Sequence, residues 1–351
     1  MSILFAILLF SVLIFVHELG HFVAAKLSNV QVNEFSMFMG PAIFQRKKGE
    51  TLYTLRCIPI GGYCAMEGED GDSDNPRSFQ KAAWWKRLII LVAGSFMNFV
   101  IGVVIVAVVL FCREGYASTE IEYVESWSTL ASENGLQSGD VVLELNGEKI
   151  RVYDDFSLST MLLADGNYDV KVLRDGKEVL LQDVPMIRQA DPEEPTQKRY
   201  GISFHWEETT AASVPGRILP TAINNVKMVI VSLKMLLTGQ ANMQDIGGPV
   251  LIVQIMSESA EAAESTGAAI INMLYFGGFL AINLAVMNML PIPALDGGRV
   301  LGLLLTTAVE KVTRRKIDPK YEGYIHGIGM ILLLILMGVI MFKDIFTIVR
   351  G

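Results

Sequence analysis

From Ile3 to Ala25 the chain reads ILFAILLFSVLIFVHELGHFVAA. Fourteen consecutive residues, Ile3 to Val16, carry no charge, and then His17, Glu18 and His21 place three ionisable groups within five positions. A run of roughly 20 apolar residues is long enough to cross the hydrocarbon core as a helix. At a rise of about 1.5 Å per residue, His17 falls roughly 20 Å along such a helix, inside the core and toward one face. The residues before His17 are too few to span comfortably alone, so the cluster belongs to the membrane segment and not to its wet end. Ionisable groups at that depth are costly and tend to be functional. Positions i and i+4 share a helical face, so both imidazoles can reach one metal ion. Zinc takes His nitrogen readily, and catalytic zinc uses three protein ligands with one position open. Glu18, adjacent to the first ligand, is placed to take a proton from water and pass it to a leaving amine.

The rest of the composition agrees with a membrane protein. Hydrophobic residues make up 51% of the 351 residues. Four runs are long enough to span: 3–25, 88–111, 268–290 and 326–347. No Lys or Arg precedes the first run and Lys26 follows it, which reads as a retained span and not a secretory signal peptide. Lys and Arg number nine in residues 24–87 and six in 291–325. These two short loops decide the orientation, because a long loop translocates largely regardless of its charge. They are expected on the cytoplasmic side, with both termini and residues 113–266 extracytoplasmic. The approach to the third span is acidic (Glu258, Glu261, Glu264). Cys57, Cys64 and Cys112 have no metal-type spacing and read as small apolar residues. A net charge of −8 argues against nucleic acid as a partner.

Between the spans, Thr51 to Ile58 is rich in β-formers and is followed by Pro59-Ile60-Gly61-Gly62-Tyr63-Cys64-Ala65-Met66. Two extended segments joined through a Pro/Gly turn predict a hairpin over about 51–66. The stretch from Glu67 to Asp74 reads as solvated loop. Trp84 and Trp85, beside Lys86 and Arg87, suit the inner interface of the second span. Residues 115–207 read as one α+β domain, with turns at Asn146-Gly147 and Asp175-Gly176 and a loop at residues 191–195. Over 217–238 the residues Arg217, Thr221, Asn224, Lys227, Lys234 and Thr238 form one polar stripe, which predicts an interfacial amphipathic helix. The domains are therefore 1–112, 115–207, a linker with that helix over 208–266, and 267–351.

A third ligand should come from another span. Residues 288–298, from Asn288 through Pro291, Pro293 and Asp296 to Gly298, close the third one. Two prolines two apart cannot continue a helix, so an extended segment is expected there, buried by protein or lining a cavity. It would present Asp296 at a depth matching His21. Asp-Gly-Gly alone is commonly a plain turn; beside His17 and His21 it reads as a ligand site. Asn98 within the second span is read equally as an inter-helix hydrogen bond or a substrate contact. Met273, Met287, Met289, Met330 and Met337 read as packing residues, and His205 and His326 as surface and interfacial, since neither lies near a second ligand.

With these motifs in order, the sequence resembles the site-2 protease family of intramembrane zinc metalloproteases, bacterial RseP/RasP-like branch, over nearly the whole chain. His17 to His21 matches its zinc motif, residues 288–296 its Asn-Pro-Asp-Gly region, and Gly94 to Asn98 its Gly-x-x-x-Asn signature. Residues 52–66 look like its membrane re-entrant β-hairpin, and 128–147 like the conserved part of a PDZ domain. The resemblance implies one Zn2+ per chain at His17, His21 and Asp296, with Glu18 as base. It further implies that Asn288, with Pro291 and Pro293, and the hairpin around Gly61, Gly62 and Tyr63 hold the substrate backbone, and that Asn98 is a supporting polar contact. Family members with two tandem PDZ domains differ from this chain, where residues 113–207 have room for one.

The fold expected is a polytopic α-helical membrane protein with four transmembrane helices, a re-entrant β-hairpin, an inserted α+β PDZ domain and an interfacial helix. The function expected is cleavage of single-span membrane proteins in the bacterial cytoplasmic membrane by a monomeric enzyme. Its substrates would be trimmed anti-sigma factors and remnant signal peptides, and its active site would lie toward the cytoplasm. The PDZ-like domain would act as a size filter, or alternatively capture a new C-terminus. One rival reading is a zinc transporter, which would want several polar sites along a path and a repeat between halves. The other is a membrane-anchored PDZ scaffold with a silent site, which would have no need of Glu18.

Overall fold

The computed structural model describes residues 2–350 except 70, 72, 132–134, 193, 241–248, 264 and 315–319. Glu264, counted above in the acidic approach to the third span, and part of the PDZ-like segment 128–147 lie outside the described residues. The chain runs α1 (Ser2–Leu27), β1 (Val32–Lys48), β2 (Thr51–Met66), α2 (Trp84–Cys112), β3 (Gly115–Val124), β4 (Val141–Leu145), β5 (Glu148–Lys149) and α3 (Tyr153–Leu162). It continues through β6 (Gly166–Arg174), β7 (Lys177–Met186), β8 (Gln189–Ala190), β9 (Lys198–Arg199), β10 (Ile202–Glu208) and α4 (Pro215–Leu237). The last elements are α5 (Pro249–Glu261), α6 (Thr266–Asn288), α7 (Asp296–Thr313) and α8 (Lys320–Arg350). Two compact units result: residues 1–105 with 229–351, and residues 106–228.

Among the described residues, four helices are long and apolar enough to cross a membrane: Phe5–Leu27, Trp84–Cys112, Thr266–Asn288 and Gly323–Asp344. They coincide with the four expected runs. Lipid offers little hydrophobic drive between helices, so close approach depends on small residues. Gly20 of α1 lies against the Ala93 carbonyl of α2, and Gly102 of α2 against Ile282 and the Gly278 carbonyl of α6. Ala6, Leu9 and Leu13 of α1 pack with Met256 of α5 and with Met273, Leu280 and Ala281 of α6. The helices α5 and α7 were not anticipated, because neither carries an apolar run of spanning length.

The hairpin differs from expectation. Residues 51–58 and 59–66 do not pair with each other; they are one bent strand, β2, whose partner is β1, joined to it by a turn at Gly49-Glu50. Both strands fold back on themselves. Glu34 to Met37 lie beside Leu52 to Leu55 in the same order and beside Ala65 to Gly62 in reverse, while Phe44 to Lys48 run back along Leu55 to Thr51. The bends face each other: a Cβ on Gly40 would press on Ile58, and one on Gly61 on Met39. Both glycines have positive φ (86° and 79°), which a side chain would strain. Arg56 ties the ranks together, donating to Glu34 Oε1 (2.8 Å), the Tyr63 hydroxyl (2.7 Å), the Gly40 carbonyl (2.7 Å) and Ser36 Oγ (3.1 Å). Among the described residues, the segment 62–66 pairs with 32–37 on one side only.

In the second unit the sheet order is β10-β3-β4-β6-β7, with β5 paired to β4. Ile121, Leu130, Val142, Leu145, Val170 and Val172 are among its buried core. The predicted turns are present, with positive φ at Asn146-Gly147 (51°, 80°) between β4 and β5 and at Asp175-Gly176 (50°, 74°) between β6 and β7. Asp140, almost wholly buried, accepts two 2.7 Å bonds from Arg174, the bidentate geometry that compensates a buried carboxylate best. Along α4 the polar stripe turns inward over its first part, 217–227, whereas Lys234 and Thr238 are exposed. Thr221 and Asn224 are buried, Lys227 reaches Asp155 at 3.0 Å and the Arg217 guanidinium lies over the Tyr116 ring, whereas Leu219, Ile223, Ile230 and Leu237 are exposed. That apolar outer face suits a helix lying against lipid.

The turn between β1 and β2 is anchored by charge. Glu50 accepts from Arg77 Nη1 (2.7 Å) and Nη2 (2.9 Å) and from Lys26 Nζ (2.6 Å). Arg77 first, and then Lys26, hold its carboxyl down from the ordinary 4.5 to about 2. A depressed carboxyl stabilises the fold fully above its ordinary pKa and loses that contribution as the pH falls toward the folded value. The turn is therefore expected to loosen between about pH 4.5 and 2, seen as faster pepsin cutting near residues 46–53. Glu50→Gln should remove that pH dependence and speed tryptic cutting after Lys47 and Lys48 at neutral pH; an unchanged tryptic rate contradicts the anchor.

Candidate metal centre

Three side chains from two distant segments meet between the apolar helices. His17 Nε2 and His21 Nε2, one turn apart on α1, are 3.2 Å from each other and 3.2 and 3.3 Å from Asp296 Oδ2. These are the described residues whose ligand atoms cluster tightly enough to hold a metal ion. Asp296 Oδ2 is buried without a hydrogen-bond donor, an expensive condition for an acceptor unless a cation shares the space. The spacing also fits: zinc ligands at about 2.0–2.1 Å in a tetrahedron stand about 3.3 Å apart. The donor set therefore suits one divalent ion with a fourth position open.

The helices around the cluster set the imidazoles. His21 Nδ1 donates to the Ile90 carbonyl of α2 at 2.8 Å, which leaves its Nε2 lone pair facing Asp296. Asn98 of α2 lies 3.4 Å from His17 Nδ1, and its Oδ1 is buried without a partner. With the amide turned over, Oδ1 accepts from His17 Nδ1–H and the His17 Nε2 lone pair is free for metal, while Nδ2 takes the buried place of Oδ1. Gly94, one turn before Asn98, lets the rings lie this close to α2: a Cβ there would overlap His21 Nε2 and His17 Cε1.

Asp296 is the first residue of α7. The segment before it is not extended. Ile292 N–H donates to the Leu290 carbonyl (2.7 Å), Leu295 N–H to Ile292 (3.2 Å) and Gly298 N–H to Leu295 (3.1 Å), and Ala294 has φ +80°. Pro291 and Pro293 do stop α6, but a fixed φ near −65° is also what a tight turn accepts, and the chain coils here into successive turns. Asp296-Gly297-Gly298 accordingly starts a helix. Gly297 and Gly298 abut the Leu290 and Ile292 carbonyls, with no room for a Cβ. His326, expected to be interfacial and without a role, has its Nδ1 3.1 Å from the Ala294 N–H.

Glu18 is half-buried beside the cluster. The Cys64 main chain lies near its carboxylate, and a Cβ on Gly62 would lie 3.3 Å from its Cγ. The 62–66 segment of β2 thus runs directly past Glu18. Of the other candidates, Gly61 sits at the bend of β2, the Tyr63 hydroxyl is taken by Arg56, Asn288 is the half-buried last residue of α6, and Pro291 and Pro293 are exposed. The Ile90 carbonyl and the Cys64 main chain carry no sequence signal, because any residue supplies the same groups. Gly94 was visible within its motif, although its task was not.

Gly94→Ala places a methyl among the metal-facing nitrogens. It should lower metal affinity by tenfold or more in a chelator competition while leaving extraction and helix content unchanged; parental affinity would mean that α2 does not crowd the cluster.

Residues 5–336 match the profile of peptidase family M50. A protein named as a zinc metalloprotease in Clostridium perfringens is 37% identical over 348 residues, covering 98% of each chain. One named likewise in Fusobacterium nucleatum is 33% identical over 360 residues, again covering 98% of each. The regulator of sigma-W protease RasP of Bacillus subtilis is 29% identical over 421 aligned positions, 97% of each. The chain is a member of peptidase family M50.

Proposed function

We propose that this chain is a monomeric intramembrane zinc endopeptidase of the site-2 type, with His17, His21 and Asp296 as ligands of one zinc ion and Glu18 as catalytic base. The observation that carries the reading is the triangle of donor atoms, 3.2–3.3 Å on each side, held among apolar helices beside Glu18. Zinc, when bound, supplies the Lewis acidity that makes water nucleophilic near neutral pH and polarises a peptide carbonyl. The chain does the rest. The Ile90 carbonyl and Asn98 fix the two imidazoles, and Glu18 takes a proton from water and delivers it to the departing amine.

The same reading makes the β1–β2 sheet a substrate holder that dips into the membrane. Its bend exposes Met39, Ile43, Phe44 and Ile58, an apolar surface suited to lipid. A helical substrate hides its peptide carbonyls in i→i−4 bonds, so it must unwind before attack. The 62–66 segment, paired among the described residues on one side only and passing Glu18, offers the lost hydrogen bonds to an unwound strand. Asn288, Pro291 and Pro293 would steady the substrate backbone from the other segment. The substrates we propose are single-span membrane proteins, among them trimmed anti-sigma factors and remnant signal peptides; the sigma-regulator name of the Bacillus relative supports this. The setting is the bacterial cytoplasmic membrane, with both termini and the β3–β10 unit extracytoplasmic and the metal toward the cytoplasm.

For the β3–β10 unit we keep the PDZ-type reading and its role as a size filter. One observation favours capture as a second reading. β10 is an edge strand, and a cavity of about 380 Å³ lies between residues 200–204 and the α3 face of Tyr153, Phe156, Ser157 and Thr160. Deletion of 115–207 separates the two. A filter predicts that deletion admits substrates with folded ectodomains, whereas capture predicts slower cleavage of short-tailed ones and no gain with bulky ones.

Glu18→Gln should retain about one zinc per chain and lose about 10²–10⁴-fold in cleavage rate, the usual worth of a positioned base. Normal proteolysis in this variant would remove Glu18 from the reaction. In the substrate, Gly, Pro, Asn or Ser within the span should speed cleavage, and a poly-Leu span cut equally fast would contradict unwinding.

A further inference from the structure

The helix α8 is exposed on most of its surface, and the positions it shields fall along one stripe: His326, Gly329, Leu333, Ile340, Lys343 and Asp344. The first two meet the segment that carries Asp296. The Ala294 N–H donates to His326 Nδ1 at 3.1 Å, so the imidazole accepts there and carries its proton on Nε2. One turn on, Gly329 faces Pro293 so closely that a Cβ would overlap it. Ala294 has φ +80°, a left-handed conformation that an alanine does not hold by preference. Strained backbone persists only where its surroundings over-determine it. Here those surroundings are the two prolines before it, the helix start after it, and α8 on its side.

We infer that His326 and Gly329 form a clamp through which α8 positions the third metal ligand. His326 is a positioning residue: its acceptor nitrogen fixes Ala294, two residues before Asp296, and Gly329 lets the helix close on Pro293. Without the clamp the turn relaxes toward ordinary φ values, and Asp296 Oδ2 no longer holds its place 3.2–3.3 Å from both imidazoles. This rests on Asp296 as a ligand, the reading proposed above. It assigns α8 a part in building the metal site beyond crossing the membrane.

The test is a set of variants of the full chain, purified in detergent and titrated with zinc against a chelator. The visible spectrum of the cobalt-loaded protein reports ligand geometry. His326→Ala and Gly329→Ala should each weaken zinc binding about tenfold or more, within the range that supporting residues of metal ligands usually cost, and should alter the cobalt spectrum. In His326→Asn, Oδ1 stands two bonds from Cβ, as Nδ1 does in His326, and can accept the same hydrogen bond. It should stay within about twofold of the parent and keep the parental spectrum. A structural role that merely loosens the bundle would not be rescued by that one acceptor. If both alanine variants bind zinc as the parent does while Asp296→Ala loses it, the clamp is refuted and the ligand reading stands. If His326→Asn is as weak as His326→Ala, the hydrogen bond is not the cause and the proposal fails. If Asp296→Ala binds zinc with parental affinity, the ligand reading falls and the clamp falls with it.

Discussion

A carboxylate oxygen with no donor, facing two imidazole nitrogens among apolar helices, is the constraint on which the rest of this structure depends. Asp296 Oδ2 can only accept, and beside it His21 Nε2 is held as an acceptor because His21 Nδ1 donates to the Ile90 carbonyl, with His17 Nε2 completing the triangle. Acceptors pointing at one spot repel unless a cation occupies it. Many otherwise separate features follow from keeping them there. Gly20 brings α1 against α2, Gly94 clears space for the rings, the Ile90 carbonyl sets the His21 tautomer, Asn98 backs the His17 ring, and Gly297 and Gly298 allow α7 to start against the end of α6.

The second organising element is the folded-back β1–β2 sheet. Its outermost segment, residues 62–66, lies where Glu18 points, and its other end is pinned by Glu50 to Lys26 and Arg77. Arg56 spends its donors across three ranks of this sheet. A charge placed there is satisfied from several sides, the condition under which an ion pair tolerates an apolar setting. The sheet and the donor triangle therefore share one frame, with Glu18 between them.

How much of this was legible depends on whether a signal is local. The i, i+4 histidines and the four apolar runs are periodic patterns within one helix, and they were read directly. Asn146-Gly147 and Asp175-Gly176 name their own turns. Asp296 was reached only because His17 and His21 call for a third ligand from another span, with the resemblance in support, since nothing in Asp-Gly-Gly itself separates a helix start from a loop. β1 was missed since Gly40-Pro41 interrupts it, which looks like a strand end and is in fact the bend that lets it fold back. The prolines at 291 and 293 were read as extended chain; the turns there depend on glycines that follow and on α8 alongside. His326 was set aside for want of a second metal-binding side chain nearby, whereas its partner is a backbone amide, invisible in any residue pattern.

The central claim is that one zinc ion is bound by two imidazoles and one carboxylate, with none of the three cysteines taking part. X-ray absorption at the zinc edge of the purified full chain tests it most directly. The account predicts nitrogen and oxygen scatterers alone at about 2.0–2.1 Å, with the multiple-scattering signature of two imidazoles. A sulfur scatterer near about 2.3 Å, or a single imidazole, would contradict it.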